Sequence, residues 1–109
     1  MKKLAAAFFL YCLAISANAG ESIGVISYYF VTLYGKVFFH AGTATARPAC
    51  SVNGDWAIDL VGPNAAAGKA MLATVIAANA QGKSVHIVGT GACDVWGDRE
   101  TVHYIVVDT

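Results

Sequence analysis

One segment of this chain has a helical pattern, and nearly all the other patterned residues favour strand. In residues 65–81, side chains at helical spacing share one face: Met71, Leu72, Val75, Ile76 and Asn79. Alanines raise the helix propensity of this segment, Asn64 precedes it as the expected N-cap, and Gly82 follows it as a stop. A single helix among strands predicts a mainly β domain.

Two features of the sequence predict the strands before the helix: residue composition and a turn motif. Residues 25–39 (VISYYFVTLYGKVFF) are rich in β-branched and aromatic residues, which predicts one bent strand or a strand pair, with Gly35 as a bulge or bend. Residues 20–24 are expected to form a loose lead. Asn53-Gly54 is typical of a type I′ turn and predicts that residues 48–52 and 55–60 pair as a hairpin.

Two strands are predicted after the helix, Ser84–Val88 and Thr101–Val107. Simple alternation in the second puts Val102, Tyr104 and Val106 on one face. The predicted order is therefore β-β-β-α-β-β, which is the element order of the OB-fold, a five-stranded Greek-key barrel. We expect residues 20–109 to form a single OB-like domain.

The N-terminal residues, 1–19, have the pattern of a secretory signal peptide. Lys2 and Lys3 precede an apolar run over residues 4–15, and Ala17 and Ala19 form an A-x-A cleavage site before Gly20. The alternative is a membrane anchor or a buried helix. The run is shorter than the about 20 residues that span a bilayer. We therefore expect a periplasmic or secreted protein without stable membrane insertion.

Removal of the signal peptide changes the charge and the cysteine count. Five basic residues then stand against seven acidic ones, a net charge of −2, which does not favour nucleic acid as a partner. Cys12 is lost, and Cys50 and Cys93 remain as a predicted disulfide closing a loop of about 43 residues. A redox or metal pair is the alternative, but the chain has no CxxC and no histidine beside either cysteine.

The residue patterns do not predict an enzyme, a cofactor or a metal site. No nucleophile-elbow motif is present, and GTGAC at residues 89–93 is followed by no helix that would make it a phosphate-binding loop. His86 and His103 are expected to face each other across two strands, but no third zinc ligand is specified. The turn carboxylates fit either solvated turns or a glycosidase-type pair: Asp55, Asp59, Asp94, Asp98 and Glu100.

Aromatic residues are the more promising functional signal. Alternation in the run SYYF puts Tyr28 and Phe30 on one face of a strand, and Ser27 and Tyr29 on the other. Some of these rings must therefore face solvent. Exposed rings beside hydroxyl groups suit stacking on a sugar or a protein interface, and ordinary surface tyrosines are the alternative.

The region between the two cysteines carries a family resemblance. Cys50, Trp56, a helix of sequence GKAMLATVIAANAQ and the junction GKSVHI at residues 82–87 follow one another along the chain. This arrangement resembles the binding subunits of AB5 toxins of the subtilase-cytotoxin and typhoid-toxin type. The stretch VGTGACDVWGDRETVHYIVV is also similar to small uncharacterised secreted bacterial proteins that end in GTGxCxxWGDxExV.

The toxin resemblance implies an OB-fold, a homo-oligomeric ring that is typically a pentamer, and binding of cell-surface glycans. In those subunits a serine near the first aromatic stretch helps to hold sialic acid, and Ser27 beside Tyr28 and Tyr29 is the nearest counterpart here. The expected function is thus a non-catalytic exported binding module with a glycan or protein partner. The alternative is a structural or protein-interaction protein of the periplasm or cell surface with no small ligand.

Overall fold

Residues 18–108 fold into five strands and one helix. The computed structural model describes residues 18–108, so the predicted signal peptide lies outside the described residues apart from Asn18 and Ala19. In chain order the elements are β1 Glu21–Val31, β2 Lys36–Ala41, β3 Trp56–Asp59, α1 Ala65–Ala80, β4 Ser84–Gly89 and β5 Glu100–Val107. The predicted class, mainly β with one helix, is confirmed.

The five strands form one sheet that closes on itself in the order β1-β2-β3-β5-β4. All neighbours are antiparallel except β3 and β5, which run parallel where Trp56 pairs with Glu100. The interior is filled by alternate side chains of the strands and by one face of the helix. The remaining strand side chains lie on the outer surface of the sheet.

The strands before the helix differ from the prediction in detail. Residues 25–39 form a strand pair, β1 and β2, joined by a turn in which Gly35 has φ +72°. Residues 21–24 are not a loose lead, because they belong to β1 and pair with β4.

The predicted hairpin over residues 48–60 is wrong. Residues 48–52 form no strand. A type I′ turn needs positive φ at both central residues, and neither Asn53 nor Gly54 has it. Instead, the Asn53 side-chain oxygen Oδ1 accepts a hydrogen bond from the Asp55 main-chain N–H (2.8 Å), and the Asn53 main-chain N–H donates to the Asp98 carbonyl (2.9 Å). The Asn53 side chain therefore serves to order a loop.

Two extra residues in the strands decide which side chains face outward. Ile26 pairs with Ala41 while Tyr28 pairs with His40, so Ser27 is an extra residue in β1. Because such a bulge reverses the alternation, Ile26 points inward before it and Tyr28 points outward after it.

A second extra residue, His103, lies in β5, where Val88 pairs with Tyr104 but Gly89 pairs with Val102. Val102 is consequently buried, whereas Tyr104 and Val106 are exposed. The prediction that these three residues share one face is wrong for this reason.

Helix α1 packs against β1, β3 and β5. Its inner side carries Gly68, Met71, Leu72, Val75 and Ala78. Ile76, predicted on the inner face, is 43 % exposed.

The ends of α1 agree with the prediction at one side only. Asn64 occupies the N-cap position without a side-chain cap bond. At the other end Gly82 has φ +62°, its amide donates to the Asn79 carbonyl, and the Lys83 amide donates to the Ala78 carbonyl. This pair of bonds is a Schellman motif, so the predicted glycine stop is confirmed.

The predicted disulfide between Cys50 and Cys93 is present, with the two Cα atoms 6.1 Å apart. It joins the loop between β2 and β3 to the loop between β4 and β5. The same two loops are also joined by the bond from the Asn53 amide to the Asp98 carbonyl. Within residues 18–108, no helix combines the length and the apolar character that crossing a membrane requires.

Candidate functional site

A group of aromatic side chains covers the outer surface of β1 and β2. Tyr28 and Phe30 point outward from β1 after the bulge, and their strand partners on β2 are His40 and Phe38. The ring centroids of Tyr28 and His40 lie 5.7 Å apart with an interplanar angle of 15°, and those of Phe30 and Phe38 lie 5.4 Å apart. Cross-strand pairing therefore arranges the four rings in two adjacent rows.

Two loops extend this surface. Trp96, in the loop between β4 and β5, meets the Phe38 ring edge-on at 5.2 Å. Tyr34, in the turn between β1 and β2, lies 6.3 Å from Trp96 between centroids. We call the surface formed by Tyr28, Tyr34, Phe30, Phe38, His40 and Trp96 the aromatic face.

A buried carboxylate holds one end of the aromatic face. Asp55 is 6 % exposed and accepts hydrogen bonds from the Tyr28 hydroxyl, at 2.7 Å to Oδ1 and 2.8 Å to Oδ2. His40 Nδ1 lies 3.2 Å from Oδ1, and Arg99 Nη1 lies 3.5 Å from Oδ2. The hydrogen bond to Asp55, together with burial, raises the pKa of the Tyr28 phenol above its ordinary value. Tyr28 is thus a neutral donor, fixed in position.

Arg99 holds the other part of the aromatic face. Its guanidinium carbon lies 4.4 Å above the Phe38 ring, and Nε donates to Asp98 Oδ1 at 2.9 Å. The bond from Arg99 lowers the pKa of the Asp98 carboxyl. Phe38, although it points outward from β2, is only 3 % exposed because Arg99 and Trp96 cover it. Arg99 therefore fastens the loop between β4 and β5 to the sheet through a cation–π contact with Phe38 and ion pairs with Asp55 and Asp98.

The three residues predicted to bind ligand lie in different settings. Tyr28 is on the aromatic face, and Ser27 is exposed beside it, with its hydroxyl donating to the His40 carbonyl at 3.3 Å. Tyr29 points to the other side of β1 and packs against the core. The structure thus brings Ser27 and Tyr28 together and places Tyr29 elsewhere.

Sequence reasoning missed His40, Asp55 and Arg99 as parts of this site. His40 lies in β2, one residue beyond the run of residues 25–39 that was predicted as strand. Asp55 and Arg99 are 44 positions apart, and only the closing of the two loops brings them together. One signal was present in the sequence: the predicted disulfide joins the same two loops.

The histidine pair predicted across β4 and β5 does not form. His86 pairs with Val106, and its Nε2 lies 3.1 Å from Glu21 Oε2. His103 is the extra residue of β5, and its ring meets that of Tyr104. Over residues 18–108, no three histidine, cysteine or acidic side chains are grouped so that they could hold a metal ion.

Serine, histidine and aspartate meet at the aromatic face without the geometry of a catalytic triad. His40 Nδ1 faces Asp55, as in a triad, but Ser27 contacts the main-chain carbonyl of His40 rather than its ring. A base must lie within hydrogen-bond reach of the nucleophile it activates. In this arrangement the Ser27 hydroxyl is not bonded to the His40 ring.

An open cleft of about 450 Å³ lies between α1 and the paired strands β3 and β5. Ile58, Met71 and Val102 line its apolar part. Asp94 and His103 stand at its edge, and Asp94 Oδ1 is bound by the Thr101 hydroxyl at 2.5 Å. Among residues 18–108, His103 is the one aromatic side chain that lines this cleft.

No family model, no curated protein and no solved structure matches the chain. The resemblance to the AB5 binding subunits therefore stays a prediction.

Proposed function

We propose that this protein is a non-catalytic, exported binding module with an OB-fold, and that its aromatic face binds a glycan. OB-folds bind oligosaccharides and oligonucleotides on the β2–β3 face and on the loops between β1 and β2 and between β4 and β5. Phe38 and His40 are on β2, Tyr34 is in the first of those loops and Trp96 is in the second. The aromatic face thus lies where this fold places its ligands.

The convergence of exposed rings from three parts of the chain carries the proposal. Tyr28 is 47 %, Phe30 46 %, Tyr34 67 % and Trp96 38 % exposed. Rings that served only to stabilise the core would be buried, whereas these four leave much of their surface in water. The C–H faces of a sugar ring stack on such surfaces, while Ser27 and His40 at the edge offer hydrogen bonds to its hydroxyl groups.

The charges around the aromatic face favour a neutral ligand. Arg99, the cation in contact with the Phe38 ring, is paired with both Asp55 and Asp98. Nucleic-acid binding depends on free Lys and Arg side chains that neutralise phosphates. A ligand carrying carboxylate or phosphate would meet two acidic groups here, so we expect neutral glycans to bind better than sialylated ones.

The aromatic face is also held in place before any ligand arrives. Tyr28 is fixed by one short hydrogen bond that its hydroxyl shares between the two Asp55 oxygens, and Trp96 is fixed through Phe38 and the disulfide-linked loop. A surface that loses little conformational freedom on binding keeps more of its interaction energy as affinity.

The test is a glycan array probed with the full chain after export, covering neutral and sialylated sugars. A glycan retained on the array is then titrated against Trp96→Ala, and the control is Tyr104→Ala, an aromatic residue 45 % exposed on β5. We expect Trp96→Ala to weaken binding about tenfold or more, and Tyr104→Ala to change it little. An array with no bound sugar would refute the glycan proposal, and equal losses in the two variants would move the site elsewhere.

A second candidate function, self-association, is favoured by an apolar patch on the opposite part of the sheet. Ile23 is 65 %, Val25 55 % and Val106 50 % exposed on the outer side of β1 and β5, with His86 of β4 between Ile23 and Val106. Exposed apolar patches mark protein interfaces. Light scattering tests whether the chain forms a homo-oligomer. An oligomer that dissociates in the Val25→Lys variant would support self-association through this patch, whereas a monomer at micromolar concentration would refute it.

A further inference from the structure

Glu100 is a carboxylate buried in the protein without a cationic side chain beside it. It is 1 % exposed, and among residues 18–108 it makes no ion pair with lysine, arginine or histidine. Within the described part of the chain, its oxygens accept hydrogen bonds from two main-chain nitrogens, Gly20 N at 3.0 and 3.2 Å and Gly91 N at 2.9 Å. A buried carboxylate without a cation costs several kcal/mol, so its position needs an explanation.

The main-chain nitrogen that faces both oxygens belongs to Gly20. This is the residue that follows the A-x-A motif of Ala17 and Ala19. In an uncut chain the Gly20 nitrogen is an amide whose single, uncharged N–H is shared between the two carboxylate oxygens. After cleavage the same nitrogen is an ammonium group with three N–H donors and a positive charge.

Gly20 is held in this position by contacts that do not involve the residues before it. The Gly89 amide donates to the Gly20 carbonyl at 2.9 Å, and Glu21 and Thr45 exchange two main-chain bonds of 3.0 and 2.8 Å. These bonds remain when the preceding peptide bond is cut. The nitrogen is therefore expected to stay beside Glu100 in the processed protein.

The space around the carboxylate also requires glycine. A Cβ atom at position 20 would lie 2.5 Å from Glu100 Oε1 and 3.1 Å from the Thr45 carbonyl oxygen. At position 89 a Cβ atom would collide with Glu100 Oε2. The buried group is thus enclosed by glycine main chain, which allows a terminal nitrogen to approach closely.

We infer that Glu100 is the internal receptor for the new N-terminus, and that cleavage before Gly20 creates a buried ion pair between the Gly20 α-ammonium and the Glu100 carboxylate. The cleavage is a hydrolysis by an exported-protein endopeptidase that selects small residues. Water adds its hydroxyl to the Ala19 carbonyl carbon, the C–N bond breaks, and the Gly20 nitrogen takes up protons to become the ammonium. Processing then stabilises the fold as well as releasing the chain.

The experiment uses the full chain, exported with its own N-terminal segment from a bacterial host. Intact mass is expected to give a product that begins at Gly20; a product that begins at another residue overturns the inference. The matched control has one glycine inserted between Ala19 and Gly20. Its processed form carries an amide at Gly20 and its charge one residue earlier, with every other side chain unchanged.

The stability of these two proteins is compared with Glu100 intact and with Glu100→Gln, as a double-mutant cycle by urea unfolding. We expect the inserted glycine to lower the folding equilibrium constant at least tenfold when Glu100 is present, and about twofold or less with Gln at position 100. Equal effects in the two backgrounds would show that no ion pair forms.

A second measurement does not require the Glu100→Gln variant to fold. The rate at which an acylating reagent modifies the α-amine is measured at neutral pH by mass spectrometry. We expect strong protection in the processed native protein and fast modification in the form with the inserted glycine. Equal rates in the two native proteins would place the terminal nitrogen in solvent and overturn the inference.

Discussion

The hydrogen bond between Tyr28 and Asp55 gives the sharpest prediction about how the aromatic face is held. Tyr28→Phe removes only the hydroxyl that lies 2.7 and 2.8 Å from the two carboxylate oxygens. A hydrogen bond to a charged group contributes about 1.5–3 kcal/mol. Because Tyr28 is 47 % exposed, we expect the lower end of that range, about 1.5 kcal/mol, which is a tenfold change in the folding equilibrium constant.

A double-mutant cycle with Asp55→Ala isolates this bond from the other contacts of Asp55. Asp55→Ala also breaks contacts with His40 and Arg99, so we expect it to cost about 3–5 kcal/mol. The coupling energy between positions 28 and 55, from urea unfolding of the four proteins, should be about 1.5 kcal/mol. Tyr34→Phe is the control, since Tyr34 is 67 % exposed, and we expect a change below about 0.5 kcal/mol.

The phenol titration supplies an independent check of the same bond. Asp55 raises the pKa of Tyr28, so the stability that the bond contributes is present below the ordinary tyrosine pKa of about 10 and is lost as the pH rises through the raised value. Asp55→Asn should move the Tyr28 pKa back toward the ordinary value, as followed by phenolate absorbance against Tyr28→Phe. A coupling energy near zero and an unmoved phenol titration would refute this account of the site.

Three further perturbations test other parts of the fold. Reduction of the Cys50–Cys93 disulfide should lower the free energy of unfolding by about 4 kcal/mol, measured by urea unfolding with and without a reductant. Lys36 Nζ donates to Asp59 Oδ1 at 2.9 Å and lowers the pKa of that carboxyl. The stability that this ion pair contributes should therefore be present above the unfolded-state Asp pKa of about 3.9, and it should be lost as the pH falls through the lowered pKa of the folded state. Asp59→Asn should flatten that acid limb of the stability profile. Phe38→Ala should cost about 3–5 kcal/mol in thermal or urea unfolding, because the ring is 3 % exposed beneath Arg99; a cost below about 1 kcal/mol would contradict that packing.

Local patterns were sufficient for the parts of the fold that depend on neighbours in sequence. The helix end at Gly82 follows from the need for positive φ, and the strand character of residues 25–39 follows from β-branched and aromatic side chains. The disulfide followed from the cysteine count once the N-terminal segment was set aside. The helix end and the strands depend on residues close together in sequence, and the disulfide is the one pairing available to the two remaining cysteines.

Features that depend on strand register could not be predicted in the same way. Alternation correctly separates Tyr28 from Tyr29, but it cannot tell which of them faces outward, because the extra residue Ser27 decides this through pairing with β2. His103 has the same effect in β5 and removes the predicted histidine pair. An inserted residue leaves no mark in the sequence of its own strand.

The polar part of the aromatic face depends on contacts over still longer distances in sequence. Asp55 looks like an ordinary turn carboxylate until Tyr28, His40 and Arg99 are placed around it. Asn53-Gly54 was expected to turn a hairpin, yet its main chain bonds the loop that carries Arg99. The pairing of two loops overrode the local turn preference.

The disulfide that joins these two loops also links the assembly of the aromatic face to the redox conditions around the protein. One loop supplies Asp55, the other supplies Trp96 and Arg99, and the bond between Cys50 and Cys93 keeps them together. In a reducing compartment that link is open, and the loops have only weaker contacts to hold them side by side. Oxidation therefore completes the covalent link between the two loops of the aromatic face, and it does so only in a compartment where disulfides form.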